Sequence, residues 1–289
     1  MGGSNSGGHA TDIVGLHHIS TVVTSLEQTL RFYLGTLDLN LLGLPVMRDG
    51  RPVMRFYCGD RGLAHSSVLC FIVDERLVRG ARGSGQISAV TFSVPLGSLR
   101  YWQRRFEQQN VEVYGRAWAF DKEHLCFSDP DGMQLALVED SDENPRDARR
   151  PGSPDYAIRG IRTVEIQVDS LPQTTEFLVE TMGFTHVGSE GAVSRFSHTG
   201  MSKLIAIDIL SAPGRSCAGA SPGFIHDVVW RVPDERSLKH ITSSVSASGL
   251  HQTDERHQDE FTAVYFRDPG GINFAVAFDD SRDAVTDPD

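Results

Sequence analysis

Apolar and polar positions follow an order along this chain that recurs four times. Ile13 to Val23 alternates enough for a half-buried strand. Ser25 then stands as a helix cap, and Leu26, Leu30, Tyr33 and Leu37 recur at helical spacing, which predicts a helix over Leu26 to Leu37. Leu39 to Leu44, Val53 to Cys58 and Ser67 to Val73 read as three further strands, so the unit is β-α-β-β-β. The order returns with strand Gln86 to Val94 and helix Leu99 to Gln109, with Ile161 to Val168 and helix Leu171 to Met182, and with Ile225 to Val232 and helix Ser237 to Ser248.

Two hairpins mark the repeat. Ala263 to Phe278 holds the turn Asp268-Pro-Gly-Gly271, where Pro269 presets φ and the glycines admit turn conformations. Leu125 to Val138 holds the similar Asp129-Pro-Asp-Gly132, 139 positions earlier. A shift of 145 lays Leu16–Gly43 on Ile161–Gly188 and superposes Val23 on Val168, Ser25 on Ser170, Leu26 on Leu171, Gln28 on Gln173, Phe32 on Phe177 and Gly43 on Gly188. One such unit has too few strands to cover its inner sheet face, so units should pair into cups around pockets. The expected fold is α+β, with four βαβββ modules paired into two cup-shaped domains. The expected boundaries are a flexible leader over 1–12, an N-terminal domain over 13–140, a charged, Pro-rich linker over 141–157, a C-terminal domain over 158–279 and an acidic tail over 280–289.

Composition narrows the partners. The chain has 289 residues, 39% hydrophobic and 8% aromatic, enough for a substantial core. A formal charge of -11 argues against nucleic acid and anionic membrane as partners. Cys58, Cys70, Cys126 and Cys217 form no C-x-x-C pair, and three sit in strand-like runs, which suits reduced thiols. No apolar run reaches the ~18 residues that would span a membrane, and Met1 to Ala10 has no apolar signal core. A cytoplasmic protein is expected by default, with a homodimer compatible with the reading.

Several stretches resemble the vicinal oxygen chelate superfamily of glyoxalases and extradiol dioxygenases, and most of all its four-module branch of hydroquinone- and catechol-cleaving enzymes. They are Gly15-Leu-His-His-Ile19, Phe32-Tyr33 with Gly35, Val94-Pro95, Phe224-Ile-His-Asp-Val-Val-Trp-Arg-Val-Pro233 and Tyr265-Phe-Arg-Asp-Pro-Gly-Gly271. The resemblance implies one Fe(II) or Mn(II) between the first and fourth units, held by two histidines and a glutamate with positions open for substrate and O2. The second histidine of the pair, His18, matches the first ligand. The second ligand, five residues before a Val-Pro, falls on Asp227, with His226 expected on the opposite side of the strand. The third, four residues after the last glycine of the turn, falls on Ala275. One ligand of three is retained, and a methyl group cannot donate, so no native metal is expected; a metal, if bound, would meet His18 and Asp227.

By the same resemblance His17 and Tyr265 match the groups that handle protons beside the metal, and an expected upstream arginine falls on Gln258. His18 and Asp227 are therefore expected to form an acid/base pair, with His17 and Tyr265 orienting a phenolic or carbonyl oxygen. Trp230, Phe224, Gln258 and Ala275 would line the substrate cup. The expected activity is a metal-independent dehydration or cyclisation, including a pericyclic one, of an aromatic or polyketide-like molecule in natural-product biosynthesis, without cofactor. Two alternatives stand beside it: an Fe(II) extradiol dioxygenase in which Asp227 is the carboxylate and His226 or His17 completes the ligands, and a small-molecule binding protein. Plain structural readings compete too: Asp227 as a carboxylate salt-bridged to Arg231 or Arg267, and His18 as a satisfied core histidine. His65, His124, His186, His198, His240 and His251 lack ligand spacing and read as surface residues. The second cup, with Ala89, Ala136 and Thr163 at the ligand offsets, is expected to be filled by side chains or only structural.

Overall fold

The computed structural model describes residues 13–48, 50–58, 67–78, 84–141, 155–198, 200–201, 205–214, 223–257 and 261–279. The expected leader, nearly all of the linker and the tail lie outside these residues, as do His65, Cys217 and Gln258. Four units of the expected order follow one another. The first is β1 (Gly15–Val23), α1 (Leu26–Leu30), β2 (Asn40–Leu41), β3 (Val46–Arg48), β4 (Arg51–Cys58) and β5 (Ser67–Val73). The second is β6 (Gln86–Val94), α2 (Leu99–Gln108), β7 (Val113–Ala119), β8 (Lys122–Ser128) and β9 (Gln134–Glu139). The third is β10 (Gly160–Val168), α3 (Leu171–Glu176), β11 (Thr185–Glu190), β12 (Val193–Ser197) and β13 (Ala206–Ser211). The fourth is β14 (Ile225–Arg231), α4 (Glu235–Ala247), β15 (Gln252–His257), β16 (Phe261–Arg267) and β17 (Asn273–Asp279).

Side-chain caps begin two helices, at Ser25 as the sequence places it and, for α4, at Asp234, ahead of the expected start at Ser237. The Ser25 hydroxyl accepts from the amide of Gln28, and the Asp234 carboxylate accepts from the amide of Ser237. The first and third helices depart from the expected plain α form. Each widens into a π-helical stretch, Arg31–Thr36 and Phe177–Thr181. The widening starts at equivalent positions: Leu37 N donates to Phe32 O at 2.9 Å and Met182 N to Phe177 O at 3.1 Å. The repeat thus extends to the irregularity of its helices.

The strands form one 17-stranded sheet that curls twice. In each unit the first strand lies parallel to the last, as β1 does to β5 and β14 to β17. Units then join through antiparallel first strands, β1 with β14 and β6 with β10. The first unit therefore shares a cup with the fourth, and the second with the third, so each cup takes one unit from each half of the chain. The Asp-Pro turns fasten consecutive units at the back. Tyr33 OH donates to Asp129 Oδ2 at 2.9 Å, and Thr174 Oγ1 donates to Asp268 Oδ2 at 2.8 Å. The other oxygen of each aspartate accepts an amide across its own turn, Met133 N and Ile272 N, both at 2.7 Å.

Helix faces and outer sheet faces meet in one continuous apolar core that includes Phe32, Tyr33, Phe56, Trp102, Phe127, Phe184 and Trp230. Cys58 and Cys70 are buried and Cys126 half-buried, and none of these three is in a disulfide. Among the described residues no helix is long and apolar enough to cross a membrane.

Candidate active site

Two β-bulges build the site of the first cup. Along β1, Leu16 faces Trp230 and His18 faces Val229, so His17 is an extra residue without an opposite number. Along β14, Asp227 faces Ser20 and Ile225 faces Thr21, so His226 is the extra one. A bulge breaks the strict alternation of faces and re-aims side chains. That is why the adjacent residues His17 and His18 stand together, with Nδ1 atoms 2.7 Å apart. It also corrects the expectation for His226: it does not turn away from Asp227, and its Nδ1 donates to Asp227 Oδ2 at 3.1 Å.

Asp227 is 2% exposed, and its Oδ1 is buried with no hydrogen-bond partner. Burial, the largest single effect, pushes its carboxyl up, but the bond from His226, the nearby rings of His18 and His226 and a bond from Ser20 together outweigh it, and the group sits below the ordinary range of an aspartate. The salt bridges to Arg231 or Arg267 weighed from the sequence are not its partners. Arg231 pairs with Asp279, and Arg267 donates to Asn273 Oδ1 at 3.0 Å. His18 is buried and neutral: desolvation, then the neighbouring His17 ring, lower its pKa to about 3. His17 Nε2 donates to Asp279 Oδ1 at 3.0 Å.

The rest of the cup floor is small and apolar. Val229, Phe261, Ala263, Tyr265, Ala275 and Ala277 pack as a separate cluster. Phe261 lies 4.7 Å from the ring of His17 and 5.4 Å from that of His18. Ala275 is wholly buried and faces both Val229 and Tyr265 in register. Burial, and then the charge of Asp227, push the Tyr265 phenol above its ordinary pKa, so it keeps its proton at neutral pH. The guanidinium of Arg256, 4.4 Å from the Tyr265 ring centre, completes this wall.

His17, His18, Asp227, Tyr265 and Ala275 are thus brought to one cup. Trp230 is not: it lies on the other face of β14, wholly buried in the main core against Phe184 at 5.2 Å. Strand alternation decides this, since Asp227 and Val229 take one face and Val228 and Trp230 the other. Phe224 is buried just ahead of β14, and its carbonyl accepts from Thr21 Oγ1 at 2.6 Å. Gln258 falls outside the described residues; an arginine, Arg256, stands two residues earlier, where β15 pairs with β16. Its own strand signal, a charged run Asp254-Glu-Arg256, hid it among surface residues. His124 and His198, read as surface residues, are buried. In the second cup Ser88 Oγ donates to Glu165 Oε1 at 2.6 Å, and Arg195 reaches both Asp208 oxygens at 2.7 Å.

No family model matches the chain. The chain is 30% identical over 273 residues to MhqO of Bacillus subtilis (strain 168), provisionally named a ring-cleaving dioxygenase, covering 93% of this chain and 86% of that one. It is 28% identical over 275 residues to the chlorohydroquinone/hydroquinone 1,2-dioxygenase of Sphingobium indicum, covering 92% and 85%. A crystal structure from Bacillus subtilis subsp. subtilis str. 168, provisionally described as a dioxygenase, superposes with a TM-score of 0.83 at 27% identity and covers 93% and 86%. These similarities overturn the expectation of a metal-independent cyclase or dehydratase in natural-product biosynthesis. They overturn equally the expectation that no cofactor is needed, because ring cleavage by O2 is the chemistry of open non-haem Fe(II) sites. The chain belongs to the vicinal oxygen chelate superfamily, in its four-module branch of ring-cleaving dioxygenases.

Proposed function

We propose that the first cup opens the ring of a small dihydroxyaromatic compound with O2, as an extradiol-type dioxygenase. The observation that carries this reading is the unpartnered, buried Oδ1 of Asp227 on the strand paired with that of His18. A buried charged oxygen left without a partner costs several kcal/mol by an order-of-magnitude estimate. A divalent cation would relieve that cost, and a neutral imidazole beside it is the nitrogen donor such a cation takes. The donor set fits at these two positions and not at the third, where Ala275 presents a methyl group. Among the described residues no three His, Cys, Asp or Glu side chains converge as they would around a metal. His18 and Asp227 would therefore hold the metal, with the remaining positions left to substrate and O2.

Bound there, a divalent iron supplies the redox centre at which a diol and O2 react. The chain's own residues do the rest. The ionised Asp227 and neutral His18 offer lone pairs in a site closed to water. Tyr265, protonated at neutral pH, donates a hydrogen bond to a substrate oxygen, and Arg256 adds positive charge behind its ring. His17 stands within reach of a proton on the diol. Phe261 and the alanines of β16 and β17 give a flat, apolar floor for an aromatic ring.

The test is O2 uptake by protein loaded with Fe(II) or Mn(II) under argon and then given hydroquinone, chlorohydroquinone or catechol. One O2 consumed per ring opened, abolished by a chelator, supports the reading. Absence of O2 uptake with all three diols and both metals would sink it.

A further inference from the structure

The second cup, between the second and third units, is open at its floor. Ser88, Ala89, Thr91, Cys126, Glu165 and Arg195 are half-buried, so solvent reaches side chains on four strands. Strand alternation, with one bulge at Ser88, turns these residues to the cup, because Val90, Phe92, Phe127 and Ile166 take the core side. The floor carries hydrogen-bonding groups from both units. Glu165 Oε1 accepts from Ser88 Oγ at 2.6 Å, and the charge of Glu165 is felt by Cys126. His124, two residues before Cys126, is buried, with its Nδ1 3.1 Å from the Lys122 carbonyl. That nitrogen carries the hydrogen, and burial keeps the ring neutral, so Nε2 is an acceptor. Gln167, two residues beyond Glu165 on the same face, is 5% exposed, and its Nε2 is buried with no hydrogen-bond partner. Buried amide donors are seldom left in that condition.

An aromatic ring stands at the mouth. Phe120 and Asp121, between β7 and β8, hold φ of 48° and 59°, a left-handed conformation that bulky side chains rarely adopt. Two contacts from the third unit hold the turn there. Phe120 N donates to Glu190 Oε2 at 2.5 Å, and the Arg195 guanidinium, fixed by both oxygens of Asp208, lies 3.8 Å from the Phe120 ring centre. We propose that the second cup binds a small hydroxyaromatic molecule, its hydroxyl donating to Glu165 and its ring packed under Phe120, with His124 and Gln167 serving further polar atoms. A carboxylate acceptor asks for a ligand that donates, and such a charge-assisted bond is strong. Arg195 is already neutralised by Asp208, which leaves no strong claim for an anion. Small floor residues, Ala89 and Ala136, leave space for one ring, and Phe120 offers it an aromatic partner. No residue of the first cup takes part, so the proposal stands apart from the dioxygenase reading.

The test titrates the 15N-labelled full chain with phenol, which lacks the second oxygen needed to chelate a metal. The reporter is the side-chain amide of Gln167, assigned through Gln167→Leu. A saturable shift of its signals is expected in the wild type. Glu165→Leu should weaken the binding read there about 10-fold or more, through loss of a charged hydrogen-bond acceptor. Phe120→Gly suits a left-handed backbone, so it should weaken binding to a similar extent without lowering the temperature of unfolding. Gln167 signals that stay in place at millimolar phenol, or an unchanged affinity in either variant, would overturn the proposal. Shifts confined to Tyr265 and its neighbours would overturn it as well, by assigning phenol to the first cup alone.

Discussion

Asp227 stands out among the polar residues of the first cup because one of its oxygens is buried without a hydrogen-bond partner. Asp227→Asn keeps the shape and the bond partner at His226 but removes the charge. Metal binding should weaken about 100-fold or more, since one of two protein donors is blunted; calorimetry with Mn(II) or Co(II) measures this. A second carboxyl, Asp129, titrates for structural reasons. Burial raises its pKa to about 7, against about 3.9 for an unfolded aspartate. The folded form thus holds the proton more tightly. Its contribution to stability is present in full below about pH 4 and is lost as pH rises through about 7. Asp129→Asn should flatten that fall, by up to a few kcal/mol, in denaturant titrations run across this pH window. The amide can still serve Tyr33 and Met133.

At the scale of elements, bulges and turns do what regular strands cannot. The bulges of β1 and β14 place four polar side chains, His17, His18, His226 and Asp227, where strict alternation would have split them between faces. The Asp-Pro turns set how the hairpins sit against the helices. A Cβ added at Gly270 would lie 2.5 Å from Thr174 Oγ1 and 2.9 Å from Val168 Cγ1, whereas Gly188 has nothing within 4 Å. Gly270→Ala should therefore cost about 1–3 kcal/mol through overpacking and loss of the Thr174–Asp268 bond. Gly188→Ala should fall within about 0.5 kcal/mol of wild type. Thermal unfolding of the two variants side by side measures the difference.

For the whole molecule, the decisive fact is that each cup joins one unit from each half of the chain. β1 pairs with β14 and β6 with β10, so both halves of the chain share both cups. A protease site inserted within 142–154 and cleaved after purification should leave two fragments that co-elute and unfold in one transition. Fragments that separate on gel filtration would show that these pairings do not hold the halves together. The same assembly brings Arg256 and Tyr265, from the fourth unit, to the cup that holds His17 and His18 of the first.

The sequence by itself determined the four-unit repeat, the Ser25 cap and the turn aspartates, because periodicity, capping chemistry and Asp-Pro turns are local and need no partner. Through the resemblance it also pointed to His18, from the His17-His18 pair, and to Asp227 and Ala275, from their offsets to Val232-Pro233 and to the turn. Tertiary structure alone decided the rest. The bulges appear only when β1 and β14 are laid side by side, so the stance of His226 and the contact of His17 with His18 were invisible in a single strand. Trp230 belongs to the core because the face that holds Asp227 is the other one. Arg256 and Asp279 join the site by pairing and by an ion pair with Arg231, contacts between residues far apart in the chain, and no local pattern specifies those.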